Sequence, residues 1–142
     1  MCFELTQLRA IVKQYKQCKF THEQSPTANQ KKVKHMSIQI QNEINLIKDS
    51  ILQVVPAEAI YLFGSYAYGT PSEASDLDVY VVVPDDVEDL SELYADIQSL
   101  LRKKTLFPMD LIVNRSRVFN RRKNGPTLEG VINRKGALVY GI

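Results

Sequence analysis

Cysteine and histidine are scarce in this chain, at two of each. Cys2 and Cys18 have no CxxC spacing and His22 and His35 lie in polar surroundings, which argues against a zinc centre and against Cys/His catalysis. Reduced cytosolic thiols are the plain reading of the two cysteines. Long apolar runs are missing too. None approaches the ~18 residues of a membrane span, and the opening MCFELTQLRA lacks the apolar core of a signal peptide. The expectation is a soluble cytoplasmic protein with no membrane association. Neither sign of charge dominates: with a net charge of +2 and 24% charged residues, bulk electrostatics argues neither for nor against nucleic acid. The 142 residues are the length of one domain with one core.

What the chain does have is concentrated between Ala59 and Val83, AIYLFGSYAYGTPSEASDLDVYVVV. The β-branched and aromatic run Ile60-Tyr61-Leu62-Phe63 stops at Gly64-Ser65, and a second strand-like run covers Leu77 to Val83. Between them lie ten residues and then Asp76-Leu77-Asp78, the arrangement GS-x10-DxD. Side chains two apart in a strand point the same way, so Asp76 and Asp78 share one face while Leu77, Val79, Val81 and Val83 cover the other. Paired carboxylates repel and are costly to bury in part unless a cation sits between them. Oxygen-only ligands suit Mg²⁺ or Mn²⁺, which proteins hold with one or two carboxylates plus substrate phosphates. Gly64 lets backbone approach a phosphate closely, and a Gly-Ser turn opening a short helix offers N–H groups and a hydroxyl to an anion.

This stretch resembles the active-site signature of the nucleotidyltransferase superfamily of DNA polymerase β. The likeness is greatest to its minimal nucleotidyltransferase (MNT) branch, relatives of kanamycin nucleotidyltransferase, and covers roughly residues 38 to 140. It implies that Gly64 and Ser65 hold the triphosphate, that Asp76 and Asp78 bind two metal ions, and that a third acid on a later strand completes the site. That acid should be Asp110, in Phe107-Pro108-Met109-Asp110-Leu111-Ile112-Val113. The reaction implied is transfer of a nucleoside monophosphate, AMP from ATP, to a hydroxyl acceptor with release of pyrophosphate. MNT proteins pair with small helical HEPN proteins as antitoxin and toxin, which makes a helical partner protein the expected acceptor. Two alternatives stay open: a non-catalytic antitoxin-like binding subunit, and an aminoglycoside-type enzyme acting on a small molecule. Tyr68 departs from the pattern, because relatives often carry a basic residue before the glycine matching Gly69.

The remaining chain supplies supporting elements. Leu5, Leu8, Val12 and Tyr15 predict an amphipathic helix over 4–18, an N-terminal extension occupying 1–25. Ser25-Pro26 is a helix entry that opens the main domain, 26–142. Val33, Met36, Ile40, Ile44, Ile47, Ile51 and Val54 or Val55 form one helical stripe, long or broken near Ser37, with Pro56 after its end. The basic patch Lys31-Lys32-Val33-Lys34-His35 reads as a solvated face, so no direct nucleic-acid contact is expected. Asp85 and Asp86 are the expected N-cap of a crossover helix, with Glu88 and Asp89 in its first turn. A crossover makes the strands of Asp78 and Asp110 parallel and brings their starts together, while the first strand must run the other way. Arg115 to Lys123 is the densest basic segment, read equally as an anion clamp or a solvated loop. Residues 127–135 predict a short helix and 137–140 a closing strand. The architecture expected is an α/β (α+β) domain of nucleotidyltransferase type, a small mixed sheet flanked by helices. Oligomeric state, including a homo-oligomer, is left open.

Overall fold

The computed structural model describes residues 37–141. The expected helix at 4–18, the helix entry at Ser25-Pro26, the basic patch at 31–35 and the boundary at 25/26 all lie outside the described residues.

Helix α1 (Ile38–Val54) starts where Ser37 Oγ accepts the amide of Ile40 at 3.4 Å, and the part of the stripe before Ser37 lies outside the described residues. Ile40, Ile44, Ile47 and Ile51 are its buried face. Four strands follow: β1 (Ala59–Phe63), β2 (Leu77–Val83), β3 (Met109–Arg115) and β4 (Ala137–Tyr140). They form one mixed sheet in the order β3-β2-β1-β4, with β2 parallel to β3 and both other pairings antiparallel. The expected strand polarities are therefore observed. A one-turn helix α2 (Gly64–Tyr68) follows β1, and α3 (Leu90–Lys104) makes the crossover from β2 to β3. Helices α4 (Ser116–Arg122) and α5 (Leu128–Lys135) lead to β4.

Strand alternation divides the core between the two faces of the sheet. Leu77, Val79, Val81 and Val83 pack with the isoleucines of α1 and with Ile97 and Leu101 of α3. Tyr80 and Val82 point the other way and join Tyr61, Phe119, Ile132 and Leu138 under α4 and α5. This second face carries the site, because Asp78 and Asp110 alternate with the first set.

Two elements depart from the sequence expectation. Helix α3 begins at Leu90 with Asp89 as its N-cap, its carboxylate accepting Ser91 N at 2.8 Å and Glu92 N at 3.0 Å. Asp85 is used elsewhere, accepting the amide of Arg117 at 2.9 Å at the start of α4. The Arg115 guanidinium meanwhile donates to the carbonyls of Val87 and Glu88, which holds that segment out of a helix. The second departure is α4, which makes a helix of most of the basic segment. Its anchor is one residue: Phe119 is buried and lies 5.3 Å from the Tyr61 ring and 5.6 Å from that of Tyr80.

A polar tie runs beneath these helices. Tyr80 Oη donates to Glu129 Oε1 at 3.1 Å, Arg122 Nε donates to Glu129 Oε2 at 2.8 Å, and Asn114 Nδ2 donates to Tyr80 Oη at 3.1 Å. Burial, against the opposing donation from Asn114 and helped by the Glu129 charge, pushes the Tyr80 phenol up to about 12. Burial raises the Glu129 carboxyl, but bonds from Arg122 and Tyr80 outweigh it and hold the group below its usual 4.5. A depressed carboxyl stabilises the fold above its unfolded value, and that stability is lost as pH falls through the folded one. Glu129→Ala, which leaves the Tyr80 hydroxyl without an acceptor, should cost roughly 1–3 kcal/mol in denaturant unfolding at neutral pH. The gap to wild type should narrow below about pH 4.5; a gap independent of pH would contradict the charged tie.

Candidate active site

Strand β1 ends at Phe63, which pairs with Asp78 across the antiparallel ladder. The chain then turns at Gly64 with φ of 68°, a region open to glycine, and enters α2 without a side-chain cap. A second glycine, Gly69 at φ 83°, ends that turn. A Cβ built on Gly64 collides with Asp78 Oδ2. The sequence explained this glycine by close approach to phosphate; the structure adds that it makes room for the Asp78 carboxylate.

The exposed loop 70–76 is pinned by Ser72 N donating to Ser75 Oγ at 2.8 Å. It delivers Asp76, exposed, one residue before β2 begins. Leu77 is fully buried, and its amide donates to Pro108 O at 3.0 Å. That bond sets the parallel register in which Asp78 stands directly opposite Asp110. Facing residues on neighbouring strands point the same way, so the two carboxylates share a face. Gly64 and Ser65 lie at the same sheet edge as this pair. Strand β4 begins there too, since Ala137 pairs with Leu62, placing the end of α5 beside the turn.

The electrostatics are those of crowded like charges. Burial raises the Asp78 carboxyl, and the Asp110 and Asp76 charges raise it further. Among the described residues no side chain or amide hydrogen-bonds or ion-pairs with the carboxylates of Asp76, Asp78 or Asp110. Their donor chemistry, carboxylate oxygens without imidazole or thiolate, fits a hard divalent cation. The fit is one of donor type and charge. Among the described residues no three His, Cys, Asp or Glu groups converge closely enough to hold an ion by themselves. Asp78 and Asp110 face each other in register, and Asp76, exposed at the end of the loop, lies close enough for its charge to act on Asp78.

Sequence reasoning missed Tyr80, Asn114, Arg122 and Glu129, which fix the helices covering this face. The available signal was a lone acid, Glu129, among Leu128, Val131 and Ile132 of a short helix. Of the basic segment, Arg115 and Arg122 have structural partners, whereas Arg117 and Arg121 are exposed.

A family model described as a nucleotidyltransferase domain matches residues 44–133. A Sulfolobus solfataricus crystal structure, provisionally described as a nucleotidyltransferase, is 17% identical with a TM-score of 0.44 and covers 82% of this chain and 90% of that one. A toxin-antitoxin crystal structure with AMP-PNP is 27% identical with a TM-score of 0.45, covering 70% of this chain and 73% of that one. No curated protein matches. No described helix is long and apolar enough to cross a membrane.

Three substitutions test this geometry. A carboxyl raised above its unfolded value favours the fold below that value and opposes it once ionised. In chelator at neutral pH, Asp78→Asn should therefore raise the melting temperature, with the gain vanishing as pH falls below about 3.8. A lower melting temperature at neutral pH would contradict the crowding. Gly64→Ala should lower stability, because its Cβ needs both a strained φ and the space of Asp78 Oδ2, and Asp78→Gly should partly rescue it. Independent, additive losses in the double variant would show that the two residues do not compete for that space.

Proposed function

Because this chain belongs to the nucleotidyltransferase domain family, whose model spans residues 44–133, we propose that it transfers a nucleoside monophosphate from a nucleoside triphosphate to a protein hydroxyl. The nucleotide is ATP, the group transferred is AMP, and the acceptor is a small helical partner of HEPN type, with this chain as the antitoxin of the pair. Its catalytic unit is residues 26–142, and 1–25 is a helical extension. The observation that carries the reading is the register that sets Asp78 against Asp110 with Gly64 packed on Asp78.

In this mechanism Gly64 and Ser65 fix the β- and γ-phosphates, the glycine by close backbone approach and the serine through its hydroxyl. Asp76 and Asp78 would hold two Mg²⁺ or Mn²⁺ ions, with Asp110 as a further ligand to one of them. When bound, such ions lower the pKa of an acceptor hydroxyl and neutralise charge on leaving phosphates. Asp110 is exposed and faces Asp78, a position from which a carboxylate can also take the acceptor's proton. The acceptor oxygen forms a bond to the α-phosphorus, the bond from that phosphorus to the α–β bridging oxygen breaks, and pyrophosphate leaves with that electron pair. A protein acceptor is favoured over an aminoglycoside by the openness of this face: Asp76 and Asp110 are exposed, and a cavity of about 330 Å³ lies on the other side of β3.

Incubation with Mg²⁺, ATP labelled on the α-phosphate and the co-purifying helical protein should label that protein with one or more nucleoside monophosphates. Asp78→Asn and Asp110→Asn should each cut the rate at least a hundredfold while the fold survives. Label on a small molecule with the protein unlabelled, or full activity in either variant, would overturn the reading.

A further inference from the structure

The cavity of about 330 Å³ is not over the carboxylates but beside them, between the end of α3 and the start of β3. Its floor is Leu101, Met109 and Leu111, and its lip is Leu106-Phe107-Pro108. Met109 and Leu111 flank Asp110 in sequence and point to the opposite face, so the cavity and the third carboxylate sit on either side of one strand start. Strand β3 is the sheet's edge, and among the described residues no strand pairs with its outer side.

The lip is built rather than loose. Thr105 N and Oγ1 both donate to Leu101 O, at 2.8 and 3.0 Å, and Pro108 O accepts Leu77 N. Leu106 N donates at 3.0 Å to Glu43 Oε1, and Glu43 is itself buried. A buried carboxylate is thus spent on a loop that presents Leu106, 89% exposed, to solvent. An apolar side chain held outward beside a cavity with an apolar floor and a polar wall of Gln98, Arg102 and Thr105 marks a docking surface.

Charge decides what docks. Arg102 lines the cavity, and Lys103 and Lys104 follow it, exposed, in the last turn of α3. Their positive charges complement the helix dipole, yet no described carboxylate pairs with them. Arg102 donates to the amide oxygen of Gln98 and Lys104 to that of Gln53, both neutral. The chain's first 36 residues carry seven Lys or Arg against two Asp or Glu, so this rim repels them.

We infer that this groove docks the protein acceptor, through a segment whose apolar side chains are flanked by carboxylates, so that an acceptor hydroxyl reaches over the β3 start to Asp110. The inference rests on the protein-acceptor reading above and deepens it. The probe is a synthetic peptide of alternating Leu-Leu and Glu-Glu pairs, with an analogue in which Lys replaces Glu, and binding to the full chain is followed by fluorescence anisotropy. The acidic peptide should bind, weaken at high salt, and lose at least tenfold in affinity with Leu106→Asp or with Arg102→Glu. Melting temperature and ATP affinity should not move in these surface variants. Equal binding of the two peptides, or no binding, overturns the inference. So does binding that appears only in Leu5→Asp/Leu8→Asp, which would make the chain's own N-terminal segment the occupant. Dimerisation abolished by Leu106→Asp would make it a second copy and also overturns it. A second arm separates this inference from the activity: Leu106→Asp should raise KM for the protein acceptor with kcat kept. Transfer at unchanged KM sinks the groove and leaves the activity standing. Peptide binding without transfer to any protein sinks the activity.

Discussion

One backbone hydrogen bond, from Leu77 to the carbonyl of Pro108, sets where two parallel strands begin, and the rest of the site depends on it. With that register Asp78 faces Asp110. A slip of one residue would send Asp78's partner position to Met109 or Leu111 and face apolar side chains toward the carboxylate. Both flanks defend the register: Leu77, fully buried under α3, and the Glu43-held loop that delivers Pro108. The result is a cluster of like charges that the fold keeps although it opposes stability, and such strained electrostatics are characteristic of functional sites.

The two faces of the sheet divide the labour. Under α1 and α3 lies an aliphatic core that makes β1 and β2 rigid. Under α4 and α5 lies a smaller cluster in which Phe119 stacks on Tyr61 and meets Tyr80 at a tilt, and the Tyr80–Glu129–Arg122 chain is hydrogen-bonded throughout. Such a network is directional where aliphatic packing is not, so it anchors the first turn of α5, the helix that leads into β4 beside Gly64.

Much of this was legible in the residues. The spacing GS-x10-DxD located the turn and the carboxylates, and the crossover length required parallel strands whose starts coincide. The strand 137–140 and the helix before it follow from local pattern with Gly136 between. What was not legible depended on partners distant in sequence. By local pattern Asp85 and Asp86 are the expected cap and Asp89 a first-turn acid; the structure caps the helix with Asp89, and Arg115, 28 positions from Val87, engages the loop carbonyls before it. Helix α4 lacks an apolar period and hangs on Phe119, whose worth depends on two tyrosines from two strands. Gly64 carried a correct signal for close approach, but only the tertiary structure shows that Asp78 is what approaches. The metal expectation was legible as donor chemistry and not as a preformed cage, since repelling carboxylates do not converge on their own.

The central claim is that these carboxylates join the chain to a nucleotide through a divalent cation. Calorimetric titration of the full chain with a non-hydrolysable ATP analogue tests it most directly, first with Mg²⁺ and then with excess chelator. Binding should saturate with the ion and lose at least a hundredfold in affinity without it. Equal affinity in chelator would rule out a cation bridge between these carboxylates and the nucleotide.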